Sequence, residues 1–243
     1  MSTQTISEKL IAGARALSAA LDGLKFHAPV AYVYNPLSYA WPAYETYLRR
    51  FGNSPKRVVF VGMNPGPFGM VQTGVPFGEV KAVRDWMGIE TPIGKPPREH
   101  PKRPVQGFAC PRSEVSGRRL WGLFAQRFGP ADRFFADHFV ANYCPLAFFS
   151  ESGANLTPDK LPAAEGLPLL AACDRHLRQT VEILQPQWII GVGDFAMKRA
   201  RSAVEGFSVQ IGKVLHPSPA SPAANHDWPG QAAAQLEALG VWR

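Results

Sequence analysis

Four short apolar runs, Arg57 to Val61, His138 to Ala141, Gln187 to Ile190 and Val209 to Leu215, are separated by stretches long enough to hold helices. Runs of this length bounded by turn residues read as buried strands, and helical crossovers between them favour parallel pairing. The pattern predicts an α/β chain built on a four-stranded parallel sheet. Ahead of the strands, Ile6, Leu10, Ala14, Leu17 and Leu21 recur at helical spacing until Gly23 and Pro29 end the pattern, which predicts an N-terminal helix at about residues 5–22. The Pro-rich segment Ile93 to Pro111 and the turn-rich segment Ser150 to Leu167 are expected to be long loops, where function tends to reside. No repeat or linker interrupts the chain, so residues 1–243 read as one domain.

Each expected strand ends in something polar or glycine-rich. Asn64 follows the first within the loop Gly62 to Pro67, Asn142 ends the second, Gly191-Val192-Gly193 follows the third, and His216 opens HPSP, His216 to Pro219, after the fourth. In open parallel sheets the ligand site lies outside the carboxyl ends of the strands, so these distant loops converge there. One such residue is ordinarily a local cap or a satisfied buried group. Their coincidence points to a shared pocket. The amide of Asn64 does not titrate, but it can hold a water by donating and accepting hydrogen bonds. His216 can act as a general acid or stabilise negative charge on a leaving group, a pairing suited to a reaction whose leaving group is already good. Asn142 carries an acceptor beside a donor, matching the N3–H and O4 edge of uracil. Cytosine presents the reverse pattern, so discrimination needs neighbours that keep the amide from flipping.

Charge is concentrated. Of the net +7, five units come from Lys95 to Arg119, where seven basic residues face only Glu99 and Glu114. Lys102, Arg103, Arg112 and Ser116 are candidate phosphate contacts there. Cys110, Cys144 and Cys173 are widely spaced and odd in number, which argues against disulfides, structural zinc or an iron–sulfur cluster. Reduced thiols in a cytoplasmic protein are expected. The histidines show no metal spacing, and no apolar run is long enough to span a bilayer. GVGDFA, Gly191 to Ala196, fits a dinucleotide fingerprint but lacks an acidic residue about 20 positions on, so close strand-to-helix packing is the better explanation.

The stretch GMNPGPFGMVQTGVPFGEV, Gly62 to Val80, with EHPKRPV, RSEVSGRRLWG, SGANLTPDKLP, GVGDFA and LHPSPASPAAN, resembles the single-strand-selective monofunctional uracil-DNA glycosylases from about Tyr34 to Trp228. The resemblance implies a three-layer α/β/α sandwich around the four-stranded parallel sheet. It implies hydrolysis of the N-glycosidic bond of uracil and some 5-substituted or deaminated bases, in single- or double-stranded DNA, by a monomer using no cofactor or metal and no lyase step. On that resemblance Asn64 positions the attacking water and His216 stabilises the departing base. Phe77 stacks on the base, Asn142 reads its edge, and backbone around Met63, from Gly62 through Gly66 and Pro67, lines the pocket. Ser152, Gly153, Asn155, Leu156, Thr157 and Pro158, in the segment to Gly166, and Ser218, Pro219, Ala220 and Ser221 after His216 are expected to contact DNA.

The chemistry is physically consistent. Flipping a base out costs a few kcal/mol, and stacking on an aromatic ring returns roughly 1–3 kcal/mol. Cleavage builds cationic character on the sugar, for which a weak nucleophile suffices. In animal members of the family an Arg follows HPSP and fills the gap left by the flipped base, whereas Ala220 stands here. A weaker wedge is expected, with more weight on the loop from Ser152, Leu156 as its apolar insert, or a preference for single-stranded and mispaired DNA. Two rivals are a non-catalytic nucleic-acid-binding module and a nucleotide-dependent oxidoreductase. The former predicts DNA affinity without base release, the latter stabilisation by a cofactor.

Overall fold

The computed structural model describes residues 4–243. The chain opens with α1 (Ile6–Asp22), whose first turn is closed by a capping box between Thr5 and Glu8. Strand β1 (Tyr32–Tyr34) and helices α2 (Pro36–Tyr39) and α3 (Trp41–Phe51) follow, then β2 (Val58–Gly62) and the single turn α4 (Met70–Thr73). After the long irregular segment come α5 (Val115–Phe128), α6 (Ala131–Asp137), β3 (His138–Asn142), β4 (Ala147–Phe149) and β5 (Asn155–Leu156). The chain closes through α7 (Ala163–Leu184), β6 (Trp188–Val192), α8 (Asp194–Ala203), β7 (Gln210–Val214) and α9 (Trp228–Ala238).

The main sheet is four-stranded and wholly parallel, in the order β3-β2-β6-β7. Its centre, β2, is buried along its whole length, as a parallel strand covered on both faces must be. Register shows the two faces. Val61 pairs with Gly191, and a Cβ on Gly191 would overlap the backbone of Met197 in α8, so this face carries α8. Phe60 points the other way, its ring packed on Phe124 of α5 and Phe134 of α6. A three-layer α/β/α sandwich results. Close packing of Gly191 on α8 thus accounts for the first glycine of GVGDFA, as its sequence context indicated.

Two expectations need correction. The segment Ser150 to Leu167 is not one loop: β5 pairs with β4, and β4 with β1, in a second, antiparallel sheet, while α7 already begins at Ala163. Strands of two and three residues are too short to show periodicity, and Pro168 lies inside α7, where its missing N–H masks the helix in sequence. Leu156 is also not a free apolar insert. It pairs with Phe148 across the antiparallel ladder, is half-buried, and packs against the core.

Candidate active site

The carboxyl ends of β2, β3 and β7 open onto a cavity of about 350 Å³ lined by Met63, Asn64, Gly66, Pro67, Phe77, Glu114, Ser116, Asn142, Asn155, Thr157, His216 and Ser218. Asn64, Phe77, Asn142 and His216, drawn from four separate stretches of chain, share it. Gly62, expected on its wall, lies behind it instead. A Cβ there would overlap the Phe77 ring and the Asn142 amide, so glycine lets the two come together over the end of β2.

Each polar group is turned by its neighbours. Asn64 donates one Nδ2 hydrogen to the carbonyl of Leu146 at 3.2 Å, which fixes the amide's direction and leaves Oδ1 as an acceptor. Asn142 donates from Nδ2 to the thioether of Met70 at 3.2 Å. This contact fixes which way the amide faces and leaves Oδ1 as an acceptor beside the second Nδ2 hydrogen as a donor. The backbone N–H of Ser218 donates to Nδ1 of His216 at 3.1 Å. Burial holds the imidazole well below its usual range, at about 4, so the ring is neutral near pH 7. With Nδ1 accepting, the proton of the neutral ring resides on Nε2. Gly193, at φ +91°, packs against this ring and supplies a backbone turn that a side chain would strain.

Phe77 has a positive φ of 52°, uncommon for a bulky residue and held only by its surroundings. Trp121 of α5 donates from Nε1 to the Phe77 carbonyl at 3.0 Å, and Gly117, one turn earlier, is bare where that carbonyl passes. The ring centroid stands 6.3 Å from that of His216.

The expected DNA contacts divide into groups. Asn155, Thr157 and Ser218 border the cavity, and Ser116 does so from inside α5, buried rather than presented to solvent. Lys102 and Arg103 are tied to the loop after β4, through the carbonyls of Ser152 at 3.4 Å and Gly153 at 2.7 Å. Gly153 and Pro158 are buried and cannot contact a strand of DNA directly in this conformation; they shape the loop. Arg112 lies over the ring of Phe68, 3.9 Å from its centroid, with Arg103 at 5.6 Å from the same ring. Pro219 and Ala220 stand exposed at the tip of the turn after His216, and Ser221 begins the short helical turn beyond. Arg119 braces that turn by donating to the Pro217 carbonyl at 2.8 Å and to Asn225 at 3.1 Å.

One lining residue, Glu114, escapes the sequence reading, where it counted only as an acid within a basic segment. Its isolation between Ser113 and Val115 was the available signal. Burial and the nearby carboxylate of Glu79 push its carboxyl up to about 7. Among the described residues no group of His, Cys, Asp and Glu could hold a metal ion, and no lysine lines the cavity.

Comparison with known proteins fits this geometry. The Uracil DNA glycosylase superfamily model matches residues 49–237. The single-strand selective monofunctional uracil DNA glycosylase of Mus musculus is 48% identical over 98% of this chain and 86% of its own length. Its Rattus norvegicus counterpart is 51% identical over 93% and 82%, and that of Bos taurus 47% identical over 99% and 89%. The crystal structure of wild-type Pedobacter heparinus SMUG2, only 18% identical, has the same fold, with a TM-score of 0.70 over 99% of this chain and all of that one. The chain therefore belongs to the uracil-DNA glycosylase superfamily, among the single-strand-selective monofunctional uracil-DNA glycosylases.

Proposed function

We propose that this chain is a monofunctional DNA glycosylase that releases uracil, and 5-substituted or deaminated relatives of it, and so starts base-excision repair in the cytoplasm. The observation that carries the reading is the meeting of Asn64, Phe77, Asn142 and His216 in one cavity with their hydrogen-bonding atoms already oriented. A flipped base stacks on Phe77 while Asn142 accepts from N3–H and donates to O4. As the bond from N1 to C1′ breaks, its electron pair moves onto the base. The Nε2–H of neutral His216 donates to O2, where that charge gathers, in a site that excludes most water and so strengthens the contact. Oδ1 of Asn64 holds a water against the cationic C1′; the water oxygen bonds to carbon and its proton passes to solvent. A lyase step needs an amine nucleophile. The lysine with a depressed value, Lys56, at about 8, lies before β2 at the opposite end of the sheet, its Nζ bonded to Ser54 at 3.0 Å and to the Phe135 carbonyl at 2.5 Å.

DNA is gripped, on this reading, by Arg103 and Arg112 around Phe68, by the loop from Ser152, and by the turn from Ser218 to Ser221. Base release from an oligonucleotide with one uracil, single-stranded or opposite G or A, without added metal, tests the proposal. Wild type should release uracil as a monomer in solution. His216→Ala should lower kcat by roughly 10²–10³-fold, and Asn64→Ala by about 10²-fold. DNA binding without release by wild type would favour the binding module instead.

A further inference from the structure

Among the described residues, Phe68 is the one Phe, Tyr or Trp side chain that packs against neither apolar core. It is half-buried, and two arginines stand over its ring, Arg112 at 3.9 Å and Arg103 at 5.6 Å from the centroid. Its place is the rim of the cavity. The preceding residue, Pro67, lines that cavity, and Arg103 donates from Nε to the Gly153 carbonyl at 2.7 Å, two residues before the lining residue Asn155. The ring thus stands where the loop after β2 meets the loop between β4 and β5. Arg103 is fixed by its bond to Gly153. Arg112 is exposed, and among the described residues its guanidinium has no hydrogen-bond or ion-pair partner.

A ring held out of the core gains little from burial where it stands. Such rings serve single-stranded nucleic acids as stacking platforms, because every base presents a π face, and an arginine beside the ring adds a flat cationic layer that also reaches phosphate. The strand on either side of a nucleotide flipped into the cavity has to run over the rim. Resting on the glycosylase reading, we propose that Phe68 and Arg112 form a second base-binding subsite, which stacks the nucleobase adjoining the flipped one while Arg112 donates to the phosphate between them. The loop after β2 then carries one ring for each base, Phe77 for the reacting base and Phe68 for its neighbour. The subsite is open to a single strand, where the neighbouring base is free, whereas in a duplex that base is already paired and stacked.

The test measures kcat/KM for uracil release from single-stranded oligonucleotides in which the residue on the 5′ or the 3′ side of uracil carries its base or is a stable abasic tetrahydrofuran. Removing the base on one of the two sides should slow wild type by roughly tenfold. Phe68→Ala should lose about as much on the intact strand and nothing further on that abasic strand, since both changes remove the same contact. Phe68→Tyr, which keeps a ring, should restore the dependence on the neighbouring base. A ring with a purely structural role lowers the rate with and without that base alike, so the two losses would multiply. Multiplying losses on both sides, a wild-type rate indifferent to either neighbour, or Phe68→Ala as fast as wild type on the intact strand would overturn the inference and leave the glycosylase reading intact. Should Phe68→Ala not fold, Phe68→Leu is read in the same way. Failure of wild type to release uracil from any strand would overturn both.

Discussion

His216 is a donor without being a cation. Its ring is neutral at physiological pH because burial disfavours the charged form, and the Ser218 N–H occupies the nitrogen that would otherwise compete for the proton. A neutral donor matches a leaving anion without transferring a full proton to it. Because the ring holds its neutral form above about 4, uracil release should show no fall assignable to imidazolium loss as pH rises through about 6–8. The comparison is a kcat profile of wild type against one of His216→Gln. A wild-type limb in that range, absent from the variant, would identify the imidazolium as the working form. The Asn64 amide, which does not titrate, is held by one Nδ2 hydrogen on the Leu146 carbonyl, an arrangement suited to the positional role proposed for it.

At the scale of elements, α5 is the part that assembles the site. It buries Ser116 at the cavity, with Glu114 lining it from the residue just before the helix, holds the Phe77 carbonyl through Trp121, and reaches the HPSP turn through Arg119. Gly117 is the tight point, since any side chain there meets the Phe77 carbonyl. Gly to Ala in a helix ordinarily stabilises by up to about 1 kcal/mol, but overpacking costs roughly 1–3 kcal/mol. Gly117→Ala is therefore expected to lower the melting temperature and to reduce kcat/KM by displacing the stacking ring; a rise in stability with unchanged activity would show that the backbone yields freely. The turn carrying Ala220 offers the opposite opportunity. Ala220 is exposed there and carries no long side chain, so on the proposed reading it has nothing with which to fill the gap of a flipped nucleotide. Ala220→Arg should raise the release rate from duplex DNA more than from single strands, and equal rates for the two proteins on duplex would count against the wedge.

For the whole molecule, buried histidines set the acid limit of stability. His138, His176 and His216 are each held down to about 4 by burial. In the unfolded chain they titrate near 6.5, so between those values the unfolded state binds more protons and stability falls as pH falls. Glu114 works the other way, since its raised value favours the folded state as pH drops through about 7. Three groups against one should leave a net loss of roughly a few kcal/mol between pH 7 and pH 4.5. For a chain of this size, a melting temperature lower by roughly 5–10 °C at pH 4.5 is expected. Thermal unfolding at fixed ionic strength measures this, and a flat profile would mean that these rings reach solvent.

Much of this architecture is local in origin. The runs from Arg57, His138, Gln187 and Val209 became β2, β3, β6 and β7 with ends displaced by a residue or two, because continuous apolar sequence is what a doubly covered parallel strand demands. Asn64, Asn142 and His216 were legible as site residues because strand ends in such a sheet converge, and the motifs around Gly62 and HPSP carried the family likeness. Other features depend on contacts between residues far apart in the chain. The sheet of β1, β4 and β5 has strands too short to leave a period, and its pairing buries the side of Leu156 that sequence alone left free. The directions of the Asn64 and Asn142 amides came from Leu146 and Met70, 82 and 72 residues away. Glu114 resembled a solvated acid until folding laid it over two glycines in the cavity. Strand identity is encoded by neighbours along the chain, whereas hydrogen-bond direction and the polarity of a pocket wall are set by neighbours in space.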